Sequence, residues 1–247
     1  MIKNLPIVLT KLLVGSPCLA SEQRCSAANG AANVPLIELY TSEGCSSCPP
    51  ADRWLIRHAP EVAAGKLNLL SWHVDYWDSL GWRDPFASAS ATERQRWQAG
   101  KARAQVYTPG VFLNGREWRG WHTNSVPSAK PSSVQLALSA QAQAAKIALQ
   151  VQASGRWPKT AALRTVLFER TLRSSVARGE NAGKALEHDF VVRSSQLNSL
   201  ASRSNSVEFA VPAQSKLAKL GVLAMVQDQT SGEILQSLSL ALDRCAN

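Results

Sequence analysis

Cysteine is scarce in this chain, five among 247 residues, and only one Cys-x-x-Cys occurs. No second such pair and no pair of histidines stands at structural-zinc spacing, which disfavours a zinc site of that kind. No motif for a nicotinamide or a flavin is present. The 27 lysines and arginines exceed the 18 acids, giving a formal charge of +9, yet no run of basic residues appears. The excess is spread over both halves, which reads as a solvated basic surface and not as a nucleic-acid site. No stretch beyond the N-terminus approaches the roughly 18–20 apolar residues of a membrane span. Internal repeats and low-complexity tracts are also missing. What is present is a globular composition, 45% hydrophobic, at a length suited to one large or two ordinary domains. Tryptophan is frequent, eight in all, and most lie between Trp54 and Trp121. They read as core packing or as an aromatic rim around a cleft.

The first twenty residues read as an imperfect signal peptide. Lys3 supplies a positive start, Leu5 to Val14 an apolar stretch interrupted by Lys11, and Cys18-Leu19-Ala20 a small-x-small cleavage site. Pro17 before Cys18 is a poor match to a lipoprotein signal. Export to the periplasm or the medium is therefore expected. Cleavage after Ala20 leaves Cys25, Cys45, Cys48 and Cys245. In an oxidising compartment Cys25 and Cys245 can tie the chain ends together as a structural disulfide, or remain as two unpaired thiols.

Cys45-Ser46-Ser47-Cys48 follows an apolar strand, Val34 to Tyr40, and precedes Pro49-Pro50. Proline is tolerated only in the first helical turn, so a helix starts close to the cysteines and runs to about Ala64. A helix start lowers a thiol pKa, and a second cysteine nearby can resolve a mixed disulfide. Leu67 to Val74 is the next strand, and Ser90 with Glu93 forms a capping box for a helix through about Ala104. After Thr108-Pro109 come a strand at Val111 to Leu113, the hairpin signal Asn114-Gly115 and a return strand to Trp121. Pro131 to Ala145 reads as an Ala/Leu/Gln helix. This is the element order of a thioredoxin fold, placed over residues 34–145. From residue 146 to 247, short alternating strands with turn signals indicate a β-sandwich, with Arg178 to Gly183 as a hairpin tip. The fold class expected is an α/β thioredoxin-like domain followed by an all-β sandwich-like domain.

Three segments carry a family resemblance: Glu38 to Asp52 around the cysteines, His73 to Phe86, and Val106 to Gly115. They resemble the secreted, thioredoxin-like bacterial proteins known as domain of unknown function 1223. The resemblance implies a thioredoxin-like fold and little about activity. It also implies that the Thr108–Pro109 bond is cis and faces the cysteine pair, with Thr108 presenting backbone to an incoming peptide.

The favoured function is thiol–disulfide oxidoreduction. Cys45 is the exposed nucleophile and Cys48 the buried resolving thiol, with Thr108 and Pro109 shaping the groove. Asp75, at the end of the second strand, either assists proton transfer or, with Asp78, caps the loop. Trp77, Trp82 and Tyr107 are candidate groove residues. Glu43 beside the pair opposes a low Cys45 pKa, which leaves the direction of electron flow open. His73 reads as a satisfied core or cleft histidine; His58, His122 and His188 receive no role. No cofactor and no metal is assigned. Partners are protein thiols or disulfides and a redox partner protein, with no nucleic acid and no membrane span. The alternative is a non-catalytic binding protein, or a copper carrier using Cys45 and Cys48 with His73.

Overall fold

The computed structural model describes residues 23–123, 125–143 and 145–245; the expected signal peptide, with Cys18, lies outside them. The first part of the chain forms β1 (Gln23–Ala28), β2 (Ala32–Asn33), β3 (Leu36–Thr41), α1 (Pro49–Arg57), α2 (Ala59–Ala63), β4 (Asn68–His73), α3 (Ala89–Ala102), β5 (Gly110–Leu113), β6 (Arg116–Glu117) and β7 (Lys130–Pro131). Strands then dominate: β8 (Val134–Ala142), β9 (Lys146–Gly155), β10 (Ala161–Glu169), β11 (Leu172–Ser175), β12 (Ala185–His188), β13 (Val191–Ser199), β14 (Ser204–Ala210), β15 (Leu220–Asp228) and β16 (Ile234–Ala241).

The expected fold class is overturned. Strands hold 45% of the described residues and helices 17%, and no α/β thioredoxin-like fold is evident among them. Two local causes account for the difference. The Ala/Leu/Gln segment expected to be a helix is β8, paired in the middle of a sheet between β1 and β9. Its burial alternates strictly, with Val134, Leu136, Leu138, Ala140 and Ala142 inward. A two-residue period with partners on both sides outweighs the helix propensity of Ala, Leu and Gln, which amounts to tenths of a kcal/mol per residue. Second, strands from both parts of the chain share one eight-stranded sheet, in the order β16-β15-β10-β13-β4-β3-β5-β6. The join is the parallel pairing of β13 with β4 at Val191 and Ser71, where the Ser71 amide donates to Phe190 O at 2.8 Å.

Burial follows from this shared sheet. Leu36 to Thr41 and Asn68 to His73 are buried at every position, as strands covered on both faces must be. In β10 and β15 alternate residues serve two cores. Leu163, Leu167, Val222 and Ala224 face the sheet formed by β1, β8, β9 and β14, whereas Val166, Phe168, Leu223 and Met225 join the core under the helices. The buried Arg94 of α3 spans both parts. Its guanidinium holds Glu38 of β3 through both oxygens at 3.0 Å and donates to Gln227 Oε1 of β15 at 2.8 Å. Both central hairpin residues have positive φ, Asn114 at 48° and Gly115 at 83°, as the Asn-Gly signal predicts. A side chain at Gly115 would collide with the Gly232 carbonyl.

Cys25 of β1 and Cys245 form a disulfide across a sequence separation of 220. Among the described residues no helix is long and apolar enough to cross a membrane.

Candidate functional site

Cys45 and Cys48 form a disulfide with Cα atoms 5.4 Å apart. Pro49 and Pro50 occupy the first positions of α1, so Cys48 is the N-cap residue and Cys45 lies in the turn before it. The Cys48 amide donates to Cys45 O at 3.2 Å, and the Ala51 and Asp52 amides to Cys48 O. The expectation of an exposed Cys45 is corrected: both cysteines have 0% exposure, and only Ser46 and Ser47 between them face solvent.

The segment joining β11 to β12 is hydrogen-bonded to the cysteine turn. The fully buried Asn181 donates its side-chain amide to Glu43 O at 2.8 Å and to Cys45 O at 3.0 Å. Glu180 accepts the Ser46 amide at 2.9 Å, and Lys184 Nζ holds Asn181 Oδ1 at 2.9 Å. Gly179, at φ 76°, lies against Trp82, where a Cβ would stand 3.1 Å from Trp82 Cβ. These residues are more than 130 positions from Cys45 in sequence, and the hairpin-tip reading of Arg178 to Gly183 gave no sign of this contact.

The remaining expected residues divide. Trp77 backs the cysteine turn, since a Cβ on Gly44 would lie 3.0 Å from Trp77 Cβ, and its Nε1 donates to Thr108 Oγ1 at 2.8 Å. It thereby links the turn to Thr108–Pro109, whose peptide bond is cis. Trp82 Nε1 donates to Glu43 Oε2 at 2.7 Å. Tyr107 turns to Glu117, its hydroxyl 2.9 Å from Oε1. Asp75 pairs with α3: Thr92 Oγ1 donates to Asp75 Oδ1 at 2.6 Å and accepts the Asp75 amide. Asp78 accepts the Asp84 amide. Asp78 thus bonds loop backbone, whereas the Asp75 carboxylate bonds a side chain of α3.

Asp52, fitting the sequence only as an acid at the positive helix end, and Asp84 and His188, given no role there, are each part of a buried polar cluster around His73. His73 Nδ1 lies 2.7 Å from Asp84 Oδ2, which also accepts the Glu43 amide. Glu43 Oε1 accepts from the Ser174 hydroxyl and faces His188 Nε2 at 3.0 Å. Asp52 Oδ2 accepts from Thr41 Oγ1 at 3.1 Å. The imidazoles of His73 and His188 meet edge to face with centroids 4.7 Å apart. Burial pushes the Asp52 carboxyl up to about 7, and nearby His188 and the Thr41 hydrogen bond only partly oppose it. Burial also raises Asp84, but His73 and two backbone amides outweigh it and hold that carboxyl below its ordinary value. His188 could have been suspected only from a fold that lays β12 beside α1.

Over residues 36–227 the chain matches the family described as "Protein of unknown function (DUF1223)", and it belongs to that family. The crystal structure of protein AGR_C_4864 from Agrobacterium tumefaciens is similar at 24% identity and a TM-score of 0.58, covering 86% of this chain and 96% of that one. HBP35 of Porphyromonas gingivalis is similar at 12% identity and a TM-score of 0.63, covering 87% of this chain and 77% of that one. At these identities the likeness concerns the fold alone. Nothing among curated proteins matches the chain.

Proposed function

We propose that this chain is an exported thiol–disulfide oxidoreductase of the periplasm or extracellular medium, with Cys45 and Cys48 as the redox pair. The observation carrying this reading is a disulfide between cysteines three apart, directly before a proline-started helix. At the start of α1 the positive end of the helix dipole favours a thiolate at Cys48 or Cys45 over a thiol. The two disulfides suit an oxidising compartment.

In the oxidising direction a partner thiolate attacks Cys45 Sγ. The Cys45–Cys48 bond breaks and Cys48 leaves as a thiolate. The partner's second thiolate then attacks its own sulfur in the mixed disulfide and releases Cys45. The partner gains a disulfide, and the pair gains two electrons and takes up two protons from the partner's thiols. Reversing the steps reduces a partner disulfide. Because both cysteines are buried, the surroundings of the pair must open before either direction proceeds, and the 176–184 segment, hydrogen-bonded to the cysteine turn, is the part to which this reading assigns the opening. Trp77, Thr108 and Pro109 would then form the wall beside the opened pair.

The test is to titrate the Cys45/Cys48 couple against glutathione and to follow insulin disulfide reduction. Cys45→Ser should abolish turnover, and full activity in that variant refutes the mechanism. Cys48→Ser should accumulate mixed disulfides with the physiological partner. Stoichiometric copper held by both thiols of the reduced protein would decide for the carrier reading instead.

A further inference from the structure

We infer that Asp52, His73 and His188 form a binding site for a divalent transition ion of the zinc class, separate from the cysteine pair. One carboxylate oxygen and one nitrogen from each ring lie within 4.8 Å of one another, and all three residues are buried. The free nitrogens are an independent sign. His73 Nε2 and His188 Nδ1 are buried, and neither has a hydrogen-bond partner among the described residues. His73 is 1% exposed and His188 2%.

The opposite ring nitrogens explain why these two atoms are suited to a metal. His73 Nδ1 faces Asp84, and His188 Nε2 faces Glu43. Trp82 Nε1–H and the Ser174 hydroxyl also point at Glu43, and two backbone amides point at Asp84, so both carboxylates act as acceptors. Each ring in its neutral form therefore donates from its carboxylate side and presents a lone pair on the other. A carboxylate behind each ligand histidine is the usual support of a zinc site.

Charge points the same way. Three carboxylates, Glu43, Asp52 and Asp84, are buried around two imidazoles, and buried charges are paired or bound to metal. Two imidazoles with one carboxylate suit zinc, cobalt or ferrous iron, and are poor donors for calcium or magnesium. Zinc bonded at about 2.1 Å sets its tetrahedral donors about 3.4 Å apart, so donors at the 4.8 Å limit close in by about 1.4 Å. Three protein donors leave a fourth tetrahedral position open.

The donors come from α1, β4 and β12. An ion here would clamp the hairpin that is hydrogen-bonded to the cysteine turn onto the helix that follows that turn. The Cys-x-x-Cys has no part in this site, and the inference stands whether or not the pair turns over.

The experiment uses oxidised, chelator-treated protein, with absence of free thiols verified, so that cysteine cannot contribute. Zinc is titrated by calorimetry, and cobalt by its visible spectrum. One saturable equivalent is expected, with nitrogen and oxygen donors to cobalt and no thiolate charge-transfer band. Zinc should raise the unfolding midpoint of this protein. Asp52→Asn and His188→Gln should each weaken zinc by at least about 100-fold. Asp84→Asn should weaken it about 10–100-fold, as loss of a supporting carboxylate does. Asp52→Asn is nearly isosteric and can still accept from Thr41, so it carries the test if the histidine variants fail to fold. Lack of saturable zinc binding by the oxidised protein, or binding unchanged in Asp52→Asn, overturns the assignment.

Discussion

Replacing Asn181 by alanine should expose the buried disulfide. In the folded protein the Asn181 amide donates to Glu43 O and Cys45 O, and Asn181 itself is fully buried. Each neutral hydrogen bond contributes about 1 kcal/mol net. Losing two weakens closure of the 176–184 segment by about 2 kcal/mol, and its open population rises about 30-fold at about 1.4 kcal/mol per tenfold. If a reductant reaches Cys45 and Cys48 only in the open form, the rate of their reduction rises by the same factor. The assay is timed reduction by a phosphine, quenched by alkylation and read by peptide mass spectrometry. The Cys25–Cys245 bond lies in another part of the fold and serves as an internal reference whose rate should stay constant. A rate within threefold of wild type would refute the argument. So would a wild-type Cys45–Cys48 bond reduced as fast as an exposed disulfide.

Two further outcomes follow from buried groups. In chelator-treated protein, Asp52→Asn should be stabilising at high pH. The folded-state carboxyl stands at about 7 against an ordinary 3.8, so the fold favours the protonated acid, and that stability is lost as pH rises from about 4 through about 7. The asparagine variant escapes the loss and should gain up to about 4 kcal/mol at pH 8 and close to nothing at pH 4, by guanidinium unfolding; a pH-independent difference contradicts the burial argument. Replacing Cys25 and Cys245 together by serine should cost about 2–5 kcal/mol, because their bond closes a loop of 220 residues. Urea midpoints of the two oxidised proteins measure it, and unchanged midpoints would show that the bond constrains nothing.

Part of this architecture was legible residue by residue. Pro49-Pro50 start a helix because a ring without an N–H fits only where that hydrogen has no partner. Asn114-Gly115 make a hairpin because both residues tolerate positive φ. The strands of the C-terminal part showed in their alternation. The segment from Pro131 to Ala145 was misread because Ala, Leu and Gln favour helix locally, although its alternate positions already matched a strand. Ser90 was expected to cap α3, yet Ser88 does so, accepting the Ala91 amide at 3.2 Å; both serines fit the local pattern.

The candidate site divides along the same line. The cysteine pair and its helix start are consequences of fifteen consecutive residues, and sequence alone determined them. Burial of that pair, and the separate cluster of Asp52, His73, Asp84 and His188, depend on laying β12 against α1 and β13 against β4. Nothing local encodes those contacts. Asn181 and His188 are ordinary residues in ordinary surroundings until a shared sheet carries them across more than a hundred positions to the disulfide. Only the tertiary structure decided that, because side-chain chemistry is set by the neighbours that packing supplies.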